Sequence, residues 1–183
     1  KTYFIELVKN KCLQLDTPLQ ILNIASGPCR DLKQLIEKMP TGKLQVHCVD
    51  IDSNAIEYAK NVLGFYADSI RFTRANIFNF NTEEKFDLIW SAGLFDYFDD
   101  NDFIKLLVKI RSWCATRGEI VVGNFSVFNP TRSYMEKGLN WYLFHRTKSQ
   151  LSQLAMEAGI QREHIEVRSE PLNVNLFLHI RLP

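Results

Sequence analysis

Short runs of aliphatic and β-branched residues alternate with amphipathic stretches along most of this chain. Residues 2–14 put Phe4, Leu7 and Val8 on one face and predict a leading helix within residues 1–16. Residues 19–25 form a compact apolar run, read as a strand, which ends at Ser26-Gly27-Pro28. Asp31 then opens a helix with Leu32, Leu35, Ile36 and Met39 at i, i+3, i+4 and i+7, and Pro40-Thr41-Gly42 stops it. The cycle repeats with a strand over 44–49, the acids Asp50 and Asp52, and a helix near 53–63 on the face of Ala55, Ile56, Ala59, Val62 and Leu63, closed by Gly64. Strands follow at 69–74 and 86–91, then an acidic loop and a helix over 101–113 that turns Phe103, Leu106, Leu107 and Ile110 inward. A fifth strand, 119–124, comes after the Arg117-Gly118 turn.

The alternation breaks at Ser126. Residues 127–147 mix aromatic and polar side chains without a clean strand, and Thr147 with Gln150 then forms a capping box for a helix that buries Leu151, Leu154, Ala155 and Ala158 before Gly159. Two strands, 164–170 and 174–181, end the chain. Five β-α units and a terminal antiparallel pair predict an α/β fold, a doubly wound Rossmann-like mixed sheet of seven strands with an antiparallel C-terminal strand. Ligands on such sheets bind beyond the carboxyl ends of the strands, near the point where strand order reverses.

Composition narrows the field. With 183 residues, 46% of them hydrophobic, the chain suits a single domain, 1–183, with no room for a separate substrate domain. Lys and Arg number 22 against 21 acids, and the basic residues are dispersed, which argues against nucleic acid as a partner. No apolar run is long enough to span a membrane. Cys12, Cys29, Cys48 and Cys114 form no C-x-x-C pair and read as free thiols of a cytoplasmic protein, and no metal is expected. A start at Lys1, directly in a helix and without methionine, suggests a piece of a longer protein.

The first strand-to-helix turn, from Asn23 to Asp31, has a glycine at 27 that lets a ligand approach the backbone. Some twenty residues on, Asp50 ends the second strand where a carboxylate can accept from both ribose hydroxyls of a nucleoside. Pro28 has no N–H and Cys29 carries a bulky Cβ, so a pyrophosphate would be poorly cradled. S-adenosylmethionine has no pyrophosphate and fits this turn better than a dinucleotide.

The series ILNIASGPCRDL, VHCVDIDSNAIEYA, IRFTRANIFNF, FDLIWSAGLFDYFDD and GEIVVGNFS resembles the successive motifs of the class I S-adenosylmethionine-dependent methyltransferases over residues 19–181. Within that class ASGPCRDL, WSAGLFDYF and GNFSVFNPTRSYMEKGLNWYLFHRT resemble the bacterial extracellular-factor 3-hydroxypalmitic acid methyl ester biosynthesis group. The resemblance implies that Ala25, Ser26 and Gly27 line the methionine end of the cofactor, that Asp50 binds the ribose and that Ile51 packs on the adenine. It also implies that Asn76 and Ile77 hold the adenine edge and that Ser91, Ala92 and Gly93 lie near the sulfonium. The chain departs from the family pattern at Asn23, where an acid is usual, and at Ala25 and Cys29, where glycines are usual.

Asp99, Asp100 and Asp102 lie at the start of the 101–113 helix, where acids favour its dipole. Asp96 and Tyr97 follow Gly93 and are candidates for a catalytic or acceptor role, with His145 as a third candidate base; His47, His164 and His179 sit in expected strands and receive no role. Six of the 22 aromatics fall within residues 125–147, immediately after the fifth strand. That segment reads as a lid or acceptor wall, with Tyr134, Trp141 and Tyr142 as apolar surface and Arg132 and Arg146 as cations for a carboxylate. A carboxylate is ionised at neutral pH and needs no base, whereas a hydroxyl acceptor does. The expected activity is therefore carboxyl O-methylation of a small apolar or fatty acid. A methyltransferase for another small acceptor, a non-catalytic S-adenosylmethionine-binding module and an NAD-dependent oxidoreductase are the rivals.

Overall fold

The computed structural model describes residues 2–39 and 42–183. Elements follow the order α1 (Thr2–Cys12), β1 (Leu19–Ile24), α2 (Arg30–Ile36), β2 (Leu44–Asp50), α3 (Ser53–Leu63), β3 (Ile70–Arg74) and β4 (Phe86–Ser91). They continue with α4 (Asp100–Arg111), β5 (Cys114–Phe125), α5 (Arg132–Gly138), α6 (Lys148–Glu157), β6 (Ile165–Ser169) and β7 (Asn175–Arg181). The strands form one seven-stranded mixed sheet in the order β3-β2-β1-β4-β5-β7-β6, with the order reversing between β1 and β4. This is the expected Rossmann-like α/β architecture. No helix among the described residues is long and apolar enough to cross a membrane.

The chain forms two compact units, residues 1–89 and 90–183. In the first, β1, β2 and β3 pair in parallel, with Leu19 opposite Leu44 and Val46 opposite Ile70. The near-continuous burial of β1 and β2 is what a parallel strand covered on both faces requires. Leu32 and Leu35 of α2, and Ile56, Ala59 and Leu63 of α3, are buried as their helical spacing predicts. Gly64 ends α3 with φ 57°, and residues 64–69 wind into a 3-10 turn, so β3 starts at Ile70. The expected stop at Pro40-Thr41 lies outside the described residues.

In the second unit β5 and β7 pair antiparallel, as do β6 and β7. Phe103, Leu106, Leu107 and Ile110 of α4 are fully buried, and Thr147 with Gln150 makes the expected capping box of α6. Two expectations are corrected. Arg117-Gly118 is no turn between elements: β5 runs from Cys114 through it, with Arg117 at φ 60° and bonded through its N–H to the Pro183 carbonyl. His164 belongs to a 3-10 turn, Arg162–His164, and β6 starts one residue later.

Candidate active site

In the first unit the chain between β1 and α2 is tightly wound, with Ala25, Gly27 and Cys29 all left-handed at φ near 50°. A β-carbon there costs about 1–2 kcal/mol, so Ala25 holds a glycine-like backbone conformation at an energetic penalty. Tethers to β2 hold the loop: Ala25 N–H and Ser26 N–H both donate to the Val49 carbonyl, and Gly27 N–H donates to Asp50 Oδ2 at 2.8 Å. Asp50 Oδ1 accepts from Asp52 N–H at 2.9 Å, while Asp52 caps α3 through Asn54 N–H. A carboxylate has about four acceptor positions, so Asp50 is oriented by the backbone and keeps acceptor capacity for a diol.

The hydroxyl of Ser26 is buried without a hydrogen-bond partner among the described residues, an uncommon state that a bound polar group would relieve. Ile51 is 62% exposed at the end of β2, a large apolar side chain open to a flat partner. Asn76 uses its Oδ1 to accept from Phe78 N–H, which leaves its amide N–H groups for a ligand. Ile77 is corrected in one respect: its side chain is buried in the core, so only its backbone can meet a ligand. At the opposite, amino-terminal ends of these strands a cavity of about 600 Å³ is lined by Gln20, His47, Arg71 and Glu84. His47 there bonds Thr73 and Arg71 and is pushed down to about 4 by burial and by the Arg71 charge, so it remains neutral.

In the second unit β4 ends at Ser91, whose buried hydroxyl also has no hydrogen-bond partner among the described residues. Ala92 and Gly93 follow, exposed. A β-carbon on Gly123 of β5 would stand 3.0 Å from the Ala92 backbone, so a glycine is needed there to seat this turn against the strand. Asp96 is buried and accepts a short hydrogen bond from Phe125 N–H; its own carbonyl accepts from Phe144 N–H at 2.7 Å. Burial pushes its carboxyl up to about 6, opposed by the Phe125 N–H and the Arg146 charge. Tyr97 points outward, and its hydroxyl accepts from Trp141 Nε1–H at 3.0 Å.

Arg146 is a correction. All five of its N–H groups are engaged within the fold: Nε and Nη2 on Asp100 Oδ1, Nη1 on the Phe95 carbonyl and Asn124 Oδ1, and Nη2 on the Phe98 carbonyl. Its guanidinium lies over the Phe103 and Phe144 rings at 4.9 and 5.5 Å, and only 3% of the residue is exposed. Arg146 therefore clamps the 95–100 turn and has no donor left for an acceptor.

Arg132 differs: only its Nε–H is engaged, on Glu136 at 2.7 Å, and its terminal N–H groups have no hydrogen-bond partner among the described residues. It lines a cavity of about 330 Å³ with Glu136, Tyr142, Leu143, Phe144 and His145. Tyr134 and Trp141 lie outside that cavity; Tyr134 is exposed with its ring against Gly138, and Trp141 bonds Tyr97. His145 is corrected as a base. Nδ1 bonds the Leu143 carbonyl at 3.1 Å, so it carries the proton, and Nε2 then accepts from the Asn129 amide at 3.2 Å. Burial, with Arg132 nearby, lowers its pKa, and the lone pair a base would use is occupied. Asp99 caps α4, Asp100 meets Arg146 and Asp102 meets Lys105, so each acid after Tyr97 has a structural partner.

Asp96 and Arg146 are the residues whose sequence context misled or concealed most. Their partners, Phe125 and Asp100, lie 29 and 46 residues away.

The family model described as a methyltransferase domain matches residues 21–118, more than half of the chain. A curated relative, malonyl-[acyl-carrier protein] O-methyltransferase 1 of Ilyobacter polytropus, is 28% identical over 105 residues, 57% of this chain. The match spans only 37% of that relative's length. Among solved structures, one described as a possible exported protein of Bordetella parapertussis superposes with a TM-score of 0.79 at 17% identity, covering 99% of this chain and 67% of that one. The N-methyltransferase NodS of Bradyrhizobium japonicum WM9, solved with S-adenosyl-L-homocysteine, gives 0.68 at 15% identity, covering all of this chain and 87% of that one. Such distant structures share the fold, and the strand order, the loop tied to Asp50 and the family match agree: the chain belongs to the methyltransferase domain family.

Proposed function

We propose that this chain is a cytoplasmic S-adenosylmethionine-dependent methyltransferase that methylates the carboxylate of a small apolar or fatty acid. The observation that carries the cofactor assignment is Asp50, a half-buried carboxylate fixed by Gly27 and Asp52 N–H groups with acceptor capacity in reserve. In this reading Asp50 accepts from the ribose hydroxyls and Ile51 covers the adenine, with Asn76 and the Ile77 backbone at its edge. The orphaned Ser26 hydroxyl gains a partner from the polar tail, beside Ala25 and Gly27, and the resemblance assigns Ser91, Ala92 and Gly93 to the sulfonium. When bound, the cofactor supplies an electrophilic methyl group, and the work left to the protein is to orient the acceptor and exclude water.

The acceptor assignment is supported by Arg132, a cation with free donors on a cavity walled by Tyr142, Leu143 and Phe144. That combination suits a carboxylate on an apolar body. An acid acceptor also fits the engagement of His145, because an ionised carboxylate needs no base. The curated relative named for O-methylation of malonyl-acyl-carrier protein, and the resemblance to the 3-hydroxypalmitic acid methyl ester group, point the same way. An acceptor with a hydroxyl is the second reading, and buried Asp96, with its raised pKa, is what favours it.

Two measurements test this. Calorimetry with S-adenosylhomocysteine should show binding that Asp50→Ala weakens by about 1–3 kcal/mol; unchanged affinity refutes the ribose assignment. Labelled S-adenosylmethionine with a panel of acyl acids, followed by mass spectrometry, should give methyl esters. Methylation of amines or phenols alone refutes the acid acceptor, and binding without any turnover favours a sensor.

A further inference from the structure

Two buried thiols lie at the base of the loop that carries Gly27. Cys29 closes that loop at the N-cap of α2 with φ 50°, and Cys48 lies in β2, two residues before Asp50. Their sulfurs are 3.8 Å apart, and the residues are 1% and 0% exposed. Both are free thiols. A disulfide holds its sulfurs about 2.05 Å apart, so the pair would have to close by about 1.8 Å. Cys12, half-buried beside the Lys43 carbonyl, and Cys114, at the start of β5, are the other two cysteines.

We propose that Cys29 and Cys48 are a peroxide-sensitive dithiol whose oxidation to an intramolecular disulfide deforms the 25–29 loop and weakens cofactor binding. The loop's tethers lie between the two cysteines. Ala25 and Ser26 bond Val49, Gly27 bonds Asp50, and Cys29 N–H bonds the Ser26 carbonyl. Drawing the Cys29 sulfur toward β2 therefore pulls on the segment that orients Asp50. The cofactor consequence rests on the function proposed above; the dithiol itself does not.

The two thiols are chemically unequal. The hydrogen bond with Cys48 is the largest influence on Cys29 and, against burial, brings its pKa below the usual thiol value, while the same contact and burial push Cys48 well up. Cys29 is also the one that lies on the loop, where local opening admits a small oxidant, whereas Cys48 lies inside β2, and on that placement Cys29 is the attacking thiol. Its thiolate attacks one oxygen of hydrogen peroxide; the O–O bond breaks, Cys29 becomes a sulfenic acid, and the departing hydroxide takes up the proton Cys29 released, giving water. Cys48 sulfur then attacks Cys29 sulfur; the S–O bond breaks and hydroxide leaves with the Cys48 proton as a second water. Two thiols lose two protons and two electrons, and one peroxide becomes two waters. Burial excludes a bulky disulfide oxidant, and a peroxide is small enough to enter through local opening of the loop.

The test uses the whole chain, reduced and then treated with a small excess of hydrogen peroxide. Alkylation and peptide mass mapping should find a Cys29–Cys48 cross-link two hydrogens lighter than the dithiol and reversed by dithiothreitol. Calorimetry should find S-adenosylhomocysteine affinity about tenfold weaker after oxidation and restored on reduction. Cys48→Ala should give, in place of the cross-link, a sulfenic acid at Cys29 that dimedone traps; Cys29→Ser should give neither, and either variant suffices if the other fails to fold. Absence of the cross-link in the parent, or over-oxidation of Cys29 without it, overturns the dithiol. A cross-link with unchanged affinity overturns the coupling. A cross-link in a protein whose reduced form binds no S-adenosylhomocysteine overturns the cofactor reading and leaves the dithiol standing.

Discussion

Asp96→Asn tests the electrostatics of the second unit with little change of shape. The substitution keeps an oxygen for Phe125 N–H and removes the ionisation. Burial lifts the Asp96 carboxyl from an ordinary 3.8 to about 6, which penalises its charged form in the fold by up to about 3 kcal/mol. Between those values the folded chain holds a proton that the unfolded chain has released, so stability falls as pH rises across that window. Above it the full penalty applies; below it both states are protonated and the penalty vanishes. The Asn variant should therefore match the parent near pH 3, below both values, and exceed it by up to about 3 kcal/mol near pH 7.5, a rise in Tm of about 6–12 °C for a domain of this size. Urea unfolding followed by tryptophan fluorescence at several pH values measures the gap. A variant less stable than the parent at pH 7.5, or a gap that does not change with pH, would refute the reasoning, because Arg146 and the Phe125 N–H would then outweigh burial. Turnover adds a second readout: a fall in kcat of about 10²–10⁴-fold would mark Asp96 as a general base and the acceptor as a hydroxyl.

Arg146→Lys should cost about 3–5 kcal/mol in urea unfolding, because three donors in a tetrahedral array cannot replace five in a planar fork and buried acceptors are left unpaired. Gly123→Ala places a methyl group 3.0 Å from the Ala92 backbone and should destabilise by about 1–3 kcal/mol; an unchanged Tm would contradict the close approach. Arg132→Gln should raise KM for an acid acceptor by about tenfold or more while leaving S-adenosylhomocysteine affinity as it was, and a KM that does not move removes Arg132 from acceptor binding.

The features legible in the sequence are those set by neighbours a few residues apart. Helical spacing placed Leu32 and Leu35, or Phe103 and Leu106, on buried faces, and Thr147 with Gln150 marked a helix start. Gly27 and Asp50 were each readable as positions just beyond the ends of neighbouring strands, but the hydrogen bond between them was not, because it depends on the parallel register of β1 and β2. Arg117-Gly118 misled, since the residues that favour a turn also suit a left-handed kink inside a long strand. Arg146 misled for another reason: an arginine among aromatics looks available until Asp100, Asn124 and two backbone carbonyls are found around it. His145 needed Asn129, sixteen residues earlier, before its occupied lone pair could be seen. The availability of a polar side chain depends on all the groups around it, and those come from distant parts of the chain.

The segment after β5 is pinned at both ends by the same few bonds. Ser126 bridges Arg146, Val127 N–H donates to the Arg146 carbonyl and Arg146 N–H to the Phe125 carbonyl, while the Arg146 guanidinium anchors the exit from below. Whatever lies between 127 and 145 thus begins and ends at one fixed gate. The entropy of closing such a loop grows only with the logarithm of its length, so a doubled insert costs about 0.6 kcal/mol more. The gate makes this stretch a cassette: an insert of another length or composition can be joined between the same two ends without disturbing the pairing of β5 with β7.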